Sequence, residues 1–233
     1  MTPVMYKSPE NYFSTFYSGR YHMSISYKPN GLSFADYIGG KPRYSAFDFS
    51  IKSGGVTGTP TNNIGNGDVV SLTGGYVVNS AAGATALQPT NSNQLILGVF
   101  NSVRYQPSQQ GVQPATFPYW IAGTTTANLA DADASICTDP AQVYIVQANA
   151  PMLESYIGRN FNLGGFAATT SLGQSGIFVD VSTITTQPWG QVKLIGLAPR
   201  TPAMGTNAWG DPYTWVKVTL NNTLLHAGQY GVV

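Results

Sequence analysis

Turn-forming residues break this chain at short intervals. PNG (29–31), GGKP (39–42), SGG (53–55), GNGD (65–68) and TGG (73–75) all fall within its first third. Glycine reaches backbone angles that other residues resist. Proline fixes φ and cannot donate to a sheet, and Asn and Asp side chains bond to nearby backbone. Long helices do not fit between such signals, whereas short strands do. With 26 glycines and 15 prolines in 233 residues, the chain reads as a β-protein with frequent turns.

The segments between the turns support this. SAFDFSIK (45–52) places Phe47, Phe49 and Ile51 on one face. GIFVDVSTI (176–184) sets Ile177, Val179 and Val181 against Phe178, Asp180 and Ser182. TWVKVTLNN (214–222) sets Val216, Val218 and Leu220 against Trp215, Lys217 and Thr219. A period of two with β-branched and aromatic residues is the pattern of a half-buried strand. GDVVSL (67–72), QLILGVFNSVRY (94–105) and QVKLIGLAP (191–199) are further strand candidates. Gly98 inside the second marks a bulge or a close backbone approach. DPAQVYIVQANAP (139–151) carries the apolar run VYIV between Gln142 and Gln147.

Helix signals are few. PMLESYIG (151–158), with Pro first and Gly last, fits two turns. ANLADADAS (127–135) fits a short turn or a loop. No internal repeat is visible. The expected fold is all-β: a compact β-barrel or β-sandwich core with long loops, one or two short helices and an extended N-terminal arm. Residues 1–28 form that arm and 29–233 the β-rich domain. A division into two β subdomains would fall near 120–135.

The arm is set apart by its aromatic residues: Tyr6, Tyr12, Phe13, Phe16, Tyr17, Tyr21 and Tyr27. They follow no sustained period. Tyrosine joins a large apolar area to a polar tip and suits a segment that orders on another surface. A terminal strand of the same domain is the alternative reading.

Only 9% of residues are charged and the formal net charge is +1, against about 25% charged in ordinary soluble domains. A nucleic-acid partner calls for a basic face, and an anionic membrane for a polybasic one; neither is expected here. The start, MTPVMYKSPENYF, lacks the apolar core of a secretory signal, and no apolar run reaches the length of a spanning helix. The expectation is a cytosol-made, unprocessed, soluble protein, without a membrane partner.

Catalytic constellations are missing from the pattern. His22 and His226 lie far from Cys137, the one cysteine, which reads as a buried strand-end residue. One cysteine allows neither an intramolecular disulfide nor a multi-cysteine zinc site. Asp131 and Asp133 read as a solvated turn, Asp68 and Asp139 as turn acids, and Glu154 as exposed. SGGVTG and GNG lack the lysine and following helix of a phosphate loop. Tyr119, Trp120, Trp189, Trp209 and Trp215 fit core or interface packing first, and sugar stacking second. No enzyme activity, cofactor or metal is expected.

Taken in order, several stretches resemble the capsid decoration proteins of tailed bacteriophages, also called cement or head-stabilising proteins. They are NGLSFADYIGGKPRYSAFDFSIKSG, GDVVSLTGG, LILGVFNSVRY, YWIAG, DPAQVYIVQAN, IGRNFNL, GIFVDVSTITTQPWGQVKLIGLAPR and WVKVTLNNTLLHAG. The resemblance covers residues 29–233; the arm and QPSQQGVQPATFP (106–118) depart from it. It implies a structural virion protein, made in the host cytoplasm, on the outer capsid surface. Its partners would be the major capsid protein and itself, as a homotrimer. It also implies that VYIV is a buried central strand entered through the Asp139-Pro140 turn. The arm aromatics would then be interface anchors. Other readings are a head-fibre or tail-associated structural protein, and a carbohydrate-binding adhesion module using Trp189, Trp209 or Trp215.

Overall fold

VYIV lies inside a sheet, one strand from its edge, with Val143, Tyr144 and Val146 buried and Ile145 half-buried. In a computed structural model, residues 31–38, 46–80, 96–109, 112–165, 173–186, 190–199, 207–221 and 223–225 are described. Their strands are β1 (Ser33–Tyr37), β2 (Ala46–Ile51), β3 (Ile64–Gly65), β4 (Val69–Thr73), β5 (Tyr76–Asn79), β6 (Gly98–Tyr105) and β7 (Ala115–Phe117). There follow β8 (Tyr119–Trp120), β9 (Ala132–Cys137), β10 (Gln142–Gln147), β11 (Asn160–Gly164), β12 (Phe178–Thr185), β13 (Val192–Leu197) and β14 (Trp215–Leu220). The fold is all-β. No helix among the described residues is long and apolar enough to cross a membrane.

One sheet runs β1-β10-β14-β13-β11-β12. The other runs β2-β9-β6-β4-β5, with β7 added to β6, and β3 and β8 form a small third sheet. The chain changes sheet between Cys137 and Gln142. Asp139 makes that turn: its carboxylate accepts from the Ala141 amide at 2.9 Å and its carbonyl from the Gln142 amide at 3.2 Å.

Strand alternation feeds two apolar cores. Val70, Phe100 and Ile136 point into a core with Ile51, Ile64, Val77 and Trp120. Their neighbours Val69, Val99 and Cys137 point the other way, to join Tyr144, Val146, Phe161, Val179, Leu194 and Val218. The sheet of β2 thus has a buried patch on each face. Burying a side chain such as Phe100 or Ile136, both 0% exposed, contributes about 2–3 kcal/mol.

The two sheets share one topology, a repeat the sequence does not display. Let the strands of the N-terminal unit be β2, β4, β5, β6 and β9, and those of the C-terminal unit β10 to β14 in chain order. The first lie side by side as β2-β9-β6-β4-β5 and the second as β10-β14-β13-β11-β12, which is the same permutation. The register repeats as well. Phe100 is opposite Ile136, Leu194 is opposite Val218, and each is followed at once by a bulge, at Asn101 and at Ile195. The Gly67 amide donates to the Phe100 carbonyl and the Phe100 amide to that of Asp68. In the other unit, the Gly158 amide donates to Leu194 and the Leu194 amide to Arg159. Phe49 falls on Val146, Ile51 on Ala148, and Val70 on Phe161.

Each unit curls so that its end strands approach. Ala148 at the end of β10 bridges to Val179 of β12, and the Asn149 amide donates to the Val179 carbonyl at 3.1 Å. In the N-terminal unit β5 lies near β2, and Lys52 Nζ sits 4.3 Å over the Tyr76 ring. The units are also tied to each other. β1, from the N-terminal side, pairs with β10. From the far end, Thr223 bridges to Ile96, and the Leu224 amide donates to the Ile96 carbonyl at 2.7 Å.

Several local expectations are corrected. Stretch 127–135 is neither helix nor loop throughout: after a single 3-10 turn at Ala127–Leu129, β9 starts at Ala132 and holds Asp133 as an exposed strand residue. Stretch 151–158 holds one 3-10 turn, Glu154–Tyr156, not two helical turns. Of the two readings offered for Gly98, close approach is the one that holds, since a Cβ there would collide with the Cys137 carbonyl; the bulge of β6 is at Asn101. Gln142 and Gln147 do not merely flank the buried run; both are 0% exposed.

Candidate contact surface

The arm residues Tyr6, Tyr12, Phe13, Phe16, Tyr17, Tyr21 and Tyr27 lie outside the described residues, as do His22, His226 and Trp189. The surface is therefore built from the two units.

Candidate reactive groups are dispersed or buried. Cys137 is a free thiol, 3% exposed, at the end of β9 in the shared core. Asp68 is the expected turn acid, capping its own backbone, but it lies in the interior. It is 0% exposed, and one carboxylate oxygen accepts from the Gly65 amide at 2.7 Å while the other accepts from the Ser175 hydroxyl. Asp180 is engaged on its own strand and from the segment after β10: its Oδ1 accepts from the Ser182 hydroxyl at 2.7 Å and from Asn149 Nδ2 at 3.2 Å. Among the described residues, no group of three or more His, Cys, Asp or Glu could hold a metal ion. A small cleft between the units is lined by Leu32, Phe34, Asn66, Asn101, Cys137 and Tyr144. Its lining holds no carboxylate, histidine or lysine.

Among the described residues, the tryptophans are wholly or partly taken up by packing. Trp120 is 0% and Trp215 7% exposed, and Trp209 packs half-buried against the shared core. Tyr105 stacks on Phe117 with ring centroids 4.6 Å apart and meets Trp120 edge-on at 5.3 Å. Burial, and secondarily the nearby Tyr119, raise its pKa above the ordinary tyrosine value.

Exposed large apolar side chains are the feature that composition and spacing did not locate. Phe34 and Ile38 stand out on and just after β1, the outermost strand of its sheet. Phe47 stands out on β2. Leu153 and Ile157 flank the Glu154–Tyr156 turn, and Ile195 is the bulge residue of β13. The hydrogen bond from the Gly158 amide to the Leu194 carbonyl, 2.9 Å, holds the Ile157 and Ile195 segments together. The only sequence signal for any of these was that an alternating strand has an outward face. For Phe47 that signal pointed inward, with Phe49 and Ile51.

Comparison with known proteins adds no relative: no protein-family model, no curated protein and no solved structure matches the chain.

Proposed function

We propose that this is a structural virion protein that binds the outer surface of a tailed-phage capsid and stabilises it by bridging neighbouring major capsid subunits. The observation that carries the reading is a pairing. The chain is 9% charged, yet Phe34, Ile38, Phe47, Leu153, Ile157 and Ile195 stand exposed on both of its units. Apolar anchors within a neutral polar rim are what a protein interface needs. The order of sequence stretches resembling decoration proteins supplies the partner. On a shell, weak contacts repeated over many copies add up through multivalency.

The test is co-sedimentation of the full chain with emptied capsids of its phage. The expected outcome is binding at one fixed copy number per shell. Failure to pellet with shells at micromolar concentration overturns the reading.

A further inference from the structure

One short segment lies across the junction of the two units. β1 precedes the N-terminal unit in sequence but pairs with β10 of the C-terminal unit. At its start the Leu32 amide donates to the Gly67 carbonyl, and just past its end the Ile38 amide donates to the Ala141 carbonyl, both at 2.9 Å. Gly31 is packed so closely that a Cβ would come within 2.7 Å of the Gly67 carbonyl and would strike the Ser175 side chain. Leu32 enters the core that also holds Cys137 and Tyr144. Leu32 and Phe34 line the cleft between the units together with those same two residues.

The hold on this segment is uneven. Gly31 and Leu32 are buried, whereas Ser33, Phe34 and Ile38 are exposed. Among the described side chains of the segment, Leu32 is the one buried apolar anchor. A bulge between Phe34 and Asp36 interrupts the ladder to β10. Segments with few buried apolar contacts open at lower free energy than core strands. The sheets do not need β1 to stay formed: β10 pairs with β14 from Val143 to Gln147, and β9 has β2 on one side and β6 on the other.

We propose that residues 31–38 form a strap, latched at Gly31 and Leu32, that opens while both units remain folded and so uncovers the Cys137 thiol. Closed, the strap ties the units and shields the thiol, which is 3% exposed. Open, it bares the cleft and the edge of β10 that β1 occupies. The inference concerns a single chain and does not depend on the capsid reading.

Cys137 is the chain's one cysteine, so its reaction with excess dithiobis(nitrobenzoate) reports the opening in the full chain. The thiol gives its proton to solvent, and the thiolate attacks the reagent's disulfide. A mixed disulfide forms and one coloured thionitrobenzoate leaves. Opening the strap exposes little surface, so the labelling rate should stay nearly flat at low urea and climb only where global unfolding takes over. Leu32→Ala weakens the latch and should label roughly tenfold faster or more. Val77→Ala, in the other core, should lower the urea midpoint yet leave labelling without urea within about twofold of wild type. A rate that climbs from the first addition of urea overturns the proposal. So does acceleration by Val77→Ala equal to that by Leu32→Ala, because both mean that only global unfolding frees the thiol. If Leu32→Ala does not fold, Ile38→Pro decides the matter. It removes the amide that donates to Ala141 at an exposed position, and labelling no faster than wild type overturns the proposal.

Discussion

Asp68 and Ser175 meet in the interior although 107 residues separate them. The Ser175 hydroxyl donates to one oxygen of the Asp68 carboxylate, and the Gly65 amide donates to the other at 2.7 Å. Asp68 precedes β4 of the N-terminal unit and Ser175 precedes β12 of the C-terminal unit, so the bond ties the units together. Both residues are buried, and Ser175 Oγ also accepts from the Ile177 amide at 3.3 Å.

Replacing Asp68 with Ala strands a buried amide and a buried hydroxyl. Leaving such groups unpaired costs more than the bonds contribute when made. The Asp68→Ala variant is expected to lose about 2–4 kcal/mol, and Ser175→Ala about 1 kcal/mol. Urea unfolding measures both. In a double-mutant cycle the two losses should fall short of additivity, and strict additivity would mean that the pair is not coupled.

Gly98 and Val192 are equivalent in register yet constrained in opposite ways. A Cβ on Gly98 would strike the Cys137 carbonyl and come within 2.9 Å of Ile136 Cγ2. β6 and β9 both lie inside the sheet, so neither backbone can yield easily. Gly98→Ala is expected to cost about 2–3 kcal/mol through overpacking. Val192, 0% exposed, should lose a similar amount as Val192→Ala, through the cavity left behind. Thermal unfolding of the two variants checks this, and a neutral Gly98→Ala would contradict the close approach.

The bulges set which side chains reach the cores. Past Asn101, Val103 is again inward and 0% exposed. Deleting Asn101 removes the extra residue and leaves Phe100 opposite Ile136, Ser102 opposite Ser135 and Val103 opposite Ala134, each on its own face. That deletion should give a folded protein that loses about 1–3 kcal/mol in urea unfolding, through the local change of twist and the lost contacts of Asn66. Asn101→Ala keeps the bulge and forfeits the weaker of two bonds from Asn66 Nδ2, at 3.3 Å to the side chain, while the 2.7 Å bond to the backbone carbonyl remains. It should cost at most about 1 kcal/mol. Deletion of Ile195 likewise keeps Leu194, Gly196 and Leu197 opposite Val218, Lys217 and Val216, so it should match the deletion of Asn101, and one deletion tolerated while the other abolishes folding would refute the equivalence.

What the sequence made legible was what alternation encodes. The strands at 46–51, 142–147, 178–185 and 215–220 follow from period-two patterns and turn residues, and they define an all-β chain. The repeat was hidden because register and bulges carry it, not side-chain identity. Phe47 falls on Tyr144, Ile51 on Ala148 and Phe100 on Leu194. The stretch around Asp133 resembled a loop because its neighbours are small. Ala132 and Ala134 are small core residues, both 0% exposed, in a core that also holds Phe100 and Trp120. Asp68 resembled an ordinary turn acid, because its burial depends on a serine that no local window contains. The exposure of Phe47 is illegible for a related reason: it depends on what pairs with the outer edge of β2, and among the described residues no strand does.

Tyr105 supplies a pH signature. Its phenol lies against Phe117 and Trp120, and burial first, then Tyr119, raise its pKa above the ordinary value of 10.0. In the unfolded chain the same group ionises near 10. Between those two values the unfolded chain has released a proton that the folded protein retains, so stability falls as pH rises. The contribution is complete below about pH 9–10 and disappears as pH climbs through the raised folded value. Tyr105→Phe removes this dependence and little of the ring packing. Urea unfolding from pH 8 to 11 should therefore show wild type and Tyr105→Phe separated by a constant offset up to about pH 9. Above that the wild type should lose stability more steeply. Parallel profiles over the whole range would mean that the phenol titrates alike in the folded and unfolded chain, contrary to its packed position.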